Sequence, residues 1–113
     1  MARSDFNWIT INHTFTINAP SVTKQFPVEG TQTPIDTAYL LIQAENVSLS
    51  SHKIFINNQE LGGFDIPPES GWQTWMDSIP SGVLKAGTNS IRIDRIGEDD
   101  FHVYGVVVNW REP

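Results

Sequence analysis

The chain contains no cysteine. That excludes disulfide staples, thiolate metal centres and a cysteine nucleophile. Basic residues are scarce: seven Lys plus Arg stand against thirteen Asp plus Glu, for a formal net charge of −6. An acidic chain has no general attraction to phosphate backbones or anionic lipid, so neither nucleic acid nor membrane is expected as a partner. No apolar run reaches the length of a membrane-spanning helix. Met1 to Phe6 hold none of the apolar core of an export signal, so synthesis in the cytoplasm is the expectation. Catalytic signatures are missing too: there is no Gly-x-Ser-x-Gly, no His-Glu-x-x-His and no phosphate-cradling glycine loop.

What is present fits one folded domain spanning the 113 residues, with 39% hydrophobic and 18% charged side chains. The dominant signal is alternation with period two, the signature of strands with one buried face. Ile9, Ile11, Phe15 and Ile17 share one parity, and Trp8, Thr10, Asn12, Thr14 and Thr16 share the other. Val22 to Phe26 reads as a short strand closed by Pro27. Ala38 to Val47 is apolar on both parities, as suits a central strand. His52 to Ile56 is a strand, Asn57-Asn58 a turn that tolerates positive φ, and Leu61-Gly62-Gly63 its brief return. A connection stiffened by Pro67-Pro68 runs from Phe64 to Gly71, and Trp72 to Ile79 alternates again. Val83 to Gly87 reads as one helical turn closed by glycine. Ile91 and Ile93 mark the next strand, and Gly97 to Asp100 an acidic turn. Phe101 to Trp110 is the last strand, with Tyr104, Val106, Val108 and Trp110 on one parity and Val103 and Val107 on the other. The pattern predicts an all-β fold, an antiparallel jelly-roll β-sandwich of about eight strands. Leu40, Ile42, Ile54, Ile56, Ile91, Ile93, Val106 and Val108 are its expected core.

Three stretches carry a family likeness. They are Ala38 to Ile42 leading to the Ile54–Gly62 hairpin, the turn Gly82-Val83-Leu84-Lys85-Ala86-Gly87-Thr88-Asn89 with its strand to Ile93, and Tyr104 to Val108. Together they resemble the galactose-binding-domain-like jelly roll, especially the sugar-binding domain of β-galactosidase and β-glucuronidase type glycoside hydrolases. The resemblance spans Ala38 to Trp110, about two thirds of the chain, and departs from the family in placing Asn58 where glycine is usual. It implies a fold whose members bind glycans, lipids or proteins or serve as scaffolding, and it carries over no ligand-binding residue.

Among candidate site residues, Trp72 stands out. An indole offers a flat apolar platform to the C–H face of a sugar, and carboxylates and amides take its hydroxyls. Asp65, Glu69 and Gln73 lie close in sequence and supply those groups. Trp75 is three residues on and points the other way, toward the core. Trp8 and Trp110 read as packing partners that close the sandwich. Glu98-Asp99-Asp100 reads as a solvated hairpin tip rather than a calcium loop, because adjacent strand side chains diverge. His13, His52 and His102 are scattered, so no metal and no cofactor is expected. Asn12-His13-Thr14 and Asn46-Val47-Ser48 match the glycosylation sequon by chance.

The leading expectation is a non-catalytic, lectin-like carbohydrate-binding module with a glycan as partner. The alternative is a structural or assembly protein, such as a virion decoration or baseplate subunit, acting as a homo-oligomer or within a larger particle.

Overall fold

The computed structural model describes residues 3–28, 38–49, 52–61 and 66–112. The described residues form eight strands and no helix: β1 (Arg3–Phe15), β2 (Ser21–Val28), β3 (Ala38–Val47), β4 (His52–Ile56), β5 (Gln59–Glu60), β6 (Glu69–Ile79), β7 (Gly87–Arg95) and β8 (Phe101–Glu112). They pair antiparallel into two four-stranded sheets, ordered β1-β8-β3-β6 and β2-β7-β4-β5. This is the jelly-roll sandwich that the alternation predicts.

Each sheet turns one parity inward. Leu40, Ile42 and Ala44 of β3, Val106, Val108 and Trp110 of β8, Ile54 and Ile56 of β4, and Ile91 and Ile93 of β7 are all buried. Each buried aliphatic side chain of this size contributes roughly 1.5–3 kcal/mol relative to exposure, which is how an eight-strand sandwich outweighs its ordering entropy. All eight residues expected in the core are there.

The turns follow from a few asparagines. Asn57 and Asn58 both adopt positive φ, 51° and 66°. A two-residue hairpin joining right-twisted strands needs that geometry, and asparagine reaches it more readily than most residues with a β-carbon. Asn58 therefore substitutes for the usual glycine without loss of the turn. Asn89 is buried, and its Oδ1 accepts from Lys85 N and Asn57 Nδ2 while its Nδ2 donates to Lys85 O and Gly87 O. Asn57 in turn accepts from Ser90 N and donates to Val83 O. These bonds give the β6–β7 connection its shape, so 83–86 form bends instead of the helical turn expected there. Val83 and Leu84 go into the core.

Other expectations shift at strand ends. Pro27 lies inside β2, opposite Thr88, because β2 is an outermost strand where a missing N–H leaves no ladder bond unmade. The return strand of the hairpin is Gln59–Glu60, earlier than Leu61-Gly62-Gly63; Gly62 and Gly63 lie outside the described residues. Glu69, Ser70 and Gly71 already belong to β6, so the Pro-Pro connection ends sooner than the sequence suggests.

The acidic turn differs most. Asp99 is buried, and its carboxylate accepts hydrogen bonds from Ser48 N, Leu49 N and His52 Nε2 at 3.0–3.1 Å. The His52 ring meets Phe101 edge-on at 4.1 Å, and Phe101 stacks on Phe15 at 4.5 Å. Asp99 thus ties the chain leaving β3 to the turn before β8. Only its neighbours Glu98 and Asp100 form a solvated tip. Among the described residues no cluster of His, Asp and Glu could hold a metal ion.

Candidate functional site

The outer face of the β1-β8-β3-β6 sheet gathers aromatic side chains that the core does not use. Cross-strand pairing sets Trp8 opposite Val107, Thr14 opposite His102, His102 opposite Glu45, and Glu45 opposite Trp72. Residues at these positions point away from the sandwich.

A bulge in β8 completes the row. Gln43 pairs with Gly105 and Ala44 with Val103, so Tyr104 is an extra residue with no partner on β3. The bulge places Tyr104 and Gly105 together on the outer face. Tyr104, expected on the core parity with Val106, is exposed, and Val103 is buried in its stead. Glycine at 105 is what lets Trp8 lie there: a β-carbon would collide with Cη2 and Cζ2 of the indole and sit 3.1 Å from Ile9 O. Trp8 is therefore an outer-face residue lying across β8, not the packing partner of Trp110, which is buried on the inner side.

The rings form a continuous row. Trp8 and Tyr104 centroids are 5.8 Å apart and tilted by 54°. Trp72 meets Tyr104 at 6.2 Å and His102 at 5.9 Å, each nearly perpendicular. These separations are those of favourable edge-to-face aromatic pairs. His102 Nδ1 and Thr14 Oγ1 lie 2.8 Å apart in a hydrogen bond whose donor is set by the imidazole tautomer.

Two open grooves flank Trp72. One, of about 420 Å³, is lined by Gln43, Trp72, Gln73, Thr74 and Tyr104. The other, of about 430 Å³, is lined by Thr14, Glu45, Asn46, Trp72, Asp100, Phe101 and His102. Gln73 Nε2 donates to Pro67 O at 2.6 Å, which pins the amide to the Pro67-Pro68 segment. Of the four residues expected to form a site, Trp72 and Gln73 share the first groove. Glu69 lies opposite Val47 and lines a separate polar depression with Asn46, Ser48 and Ser70. Asp65 lies outside the described residues. Trp75, expected in the core, pairs opposite buried Ile42 yet stays 45% exposed, because β6 is the outermost strand of its sheet. Sequence reasoning missed Trp8, Tyr104, His102 and Gln43. The signal for Tyr104 was a glycine inside a strand, which marks bulges and close backbone approaches.

Solved structures share this architecture. The chain superposes on part of dimeric latent PorU from Porphyromonas gingivalis with a TM-score of 0.71 at 10% identity, covering 97% of this chain and 13% of that one. A family 35 carbohydrate-binding module from an environmental isolate matches with a TM-score of 0.64 at 21% identity, covering 90% of this chain and 83% of the module. The CBM36-1 domain of a multidomain xylanase from the hindgut metagenome of Trinervitermes trinervoides matches with a TM-score of 0.60 at 12% identity, covering 92% and 96%. Such low identities establish a common fold, the jelly roll of these modules. In sequence, no curated protein matches the chain. A family model matches residues 4–112, and the chain belongs to that family, DUF7383, described as a family of unknown function.

Proposed function

We propose that this sandwich is a non-catalytic, lectin-like carbohydrate-binding module whose ligand lies on the outer face of the β1-β8-β3-β6 sheet. One observation carries the reading: a row of four rings, exposed Trp8, Tyr104 and Trp72 with half-buried His102, stands beside the amides of Gln43 and Gln73 and the hydroxyl of Thr74. Indole and phenol faces stack on sugar C–H groups, and neutral amides and hydroxyls give and take hydrogen bonds with sugar hydroxyls. The rings sit on paired strands, so little ordering is lost on binding. The likeness in fold to carbohydrate-binding modules agrees with this reading.

Trp72→Ala tests it. Trp72 is 56% exposed, so its loss should leave the melting temperature within a few degrees while binding on a glycan array disappears. A variant that melts early and binds undiminished per folded molecule would instead make Trp72 a structural residue.

An assembly role draws on a different observation. Phe6 and Met76 are exposed on the same outer face and lengthen its apolar surface beyond the ring row. A self-association surface there would show as a concentration-dependent mass in light scattering, abolished by Phe6→Ser.

A further inference from the structure

The two grooves on either side of Trp72 differ in what they offer, and the difference bears on the ligand. The first presents amides and hydroxyls, from Gln43, Gln73, Thr74 and Tyr104. The second presents Thr14, Asn46 and His102 together with the carboxylates of Glu45 and Asp100. Among the described residues lining the two grooves, none is lysine or arginine. The guanidinium of Arg95, which reaches Asp100 Oδ1 at 3.2 Å, is also engaged by Asp99 O at 2.8 Å. Glu45 Oε1 accepts from Asn46 Nδ2 at 3.3 Å, a neutral donor that leaves the carboxylate its charge.

Resting on the carbohydrate-binding reading, we infer that the ligand is an uncharged oligosaccharide chain that straddles Trp72 and occupies both grooves. Length follows from shape. The grooves are open, of nearly equal size, and share Trp72 as a common wall, so a single sugar seated in one leaves the other to water. Rings nearly perpendicular to one another do not make a flat platform, which disfavours the surface of a crystalline polysaccharide and suits one chain that turns as it crosses the strands. Charge follows from the lining. A uronate or sulfate placed in the second groove meets the carboxylate of Glu45, Asp100 being already paired with Arg95, with no lysine or arginine in that lining and within a chain of net charge −6. Like charges brought together and partly desolvated repel, and specificity is built by such unfavourable pairings as much as by attractive ones. Glu45 is then the residue that selects against acidic glycans.

The test is an array of neutral and acidic glycans one to six units long, followed by calorimetry on the best binders at low and high salt. A neutral tetrasaccharide should bind at least roughly tenfold tighter than its monosaccharide, a second occupied groove adding about 1.4 kcal/mol. It should also bind tighter than a uronate chain of equal length. Glu45→Gln should narrow that preference roughly threefold, and added salt should narrow it in the parent protein, since the screening length shortens from about 10 Å at 0.1 M to about 3 Å at 1 M. Equal affinity for monosaccharide and tetrasaccharide, or a preference for uronates that Trp72→Ala removes, overturns the inference and leaves carbohydrate binding standing. Binding to nothing on the array overturns the carbohydrate reading and the inference with it.

Discussion

Asp99 and Asp100 are adjacent acids with opposite energetics, and alanine at each in turn separates them. Asp99→Ala removes the acceptor of Ser48 N, Leu49 N and His52 Nε2, all satisfied by one buried carboxylate. A buried polar group left without its partner costs roughly 1–3 kcal/mol. Ser48 N and Leu49 N are only part-buried, and water can reach them once the carboxylate is gone. The low end of that range therefore applies to those two, at about 1 kcal/mol each, and buried His52 Nε2 adds about 1–2 kcal/mol, for a loss of about 3–4 kcal/mol. That is a large share of the roughly 5–15 kcal/mol typical of a domain. In thermal melts it corresponds to a fall of roughly 10–15 °C for a chain of this length. In urea it moves the midpoint by about 1–2 M at an unchanged slope. Asp100→Ala loses an ion pair with Arg95 whose acid is 66% exposed, so it should cost less than about 1 kcal/mol. Asp99→Asn keeps an acceptor of the same shape and falls between the two. If Asp99→Ala and Asp100→Ala melt within a degree or two of each other, the carboxylate does not hold the β3 exit and the loss assigned to it is refuted.

Two further outcomes follow from the packing. Ile93 is fully buried on β7, between β2 and β4, and Ile93→Ala should destabilise by roughly 2–5 kcal/mol in urea titration; a change near zero would mean the inner face is misassigned. Gly105→Ala puts a β-carbon where the Trp8 ring lies, so the indole must leave β8. Crowding costs about 1–3 kcal/mol and the stiffer unfolded chain returns about 0.4–1, for a net loss of about 1–2 kcal/mol. The clearer readout is the near-ultraviolet circular dichroism of Trp8, which should change while the far-ultraviolet spectrum does not; an unaltered near-ultraviolet band would show that Trp8 does not rest on Gly105.

The core was legible because alternation is local: Leu40 and Ile42, or Ile91 and Ile93, declare their face by spacing alone. The outer face was half legible. Ile9 and Ile11 already send Trp8 to the opposite side, yet the bulk of an indole argues for burial, and only pairing with β8 shows that a glycine makes room for it. Asp99 was illegible because the groups that bind it lie 47–51 residues away in the chain, and an acidic triplet looks the same whether or not they arrive. Tyr104 was misplaced because period-two counting assumes an uninterrupted ladder, and one extra residue shifts every position before it.

That extra residue has a consequence for how this face can change over time. Omit Tyr104 from β8 and the remaining residues alternate without a break: Phe101, Val103, Val106, Val108 and Trp110 inward, His102, Gly105, Val107 and Asn109 outward. Toward β3, Gln43–Gly105 and Ala44–Val103 become consecutive rungs. Toward β1 the residue is matched instead: Thr10 pairs with Gly105 and His13 with Val103, so Ile11 and Asn12 lie against Tyr104, whose backbone keeps that register while its side chain stays exposed. A lineage could exchange the side chain at 104 in a single genetic step and keep the same interior, so recognition on this face is free to diverge faster than the scaffold that carries it.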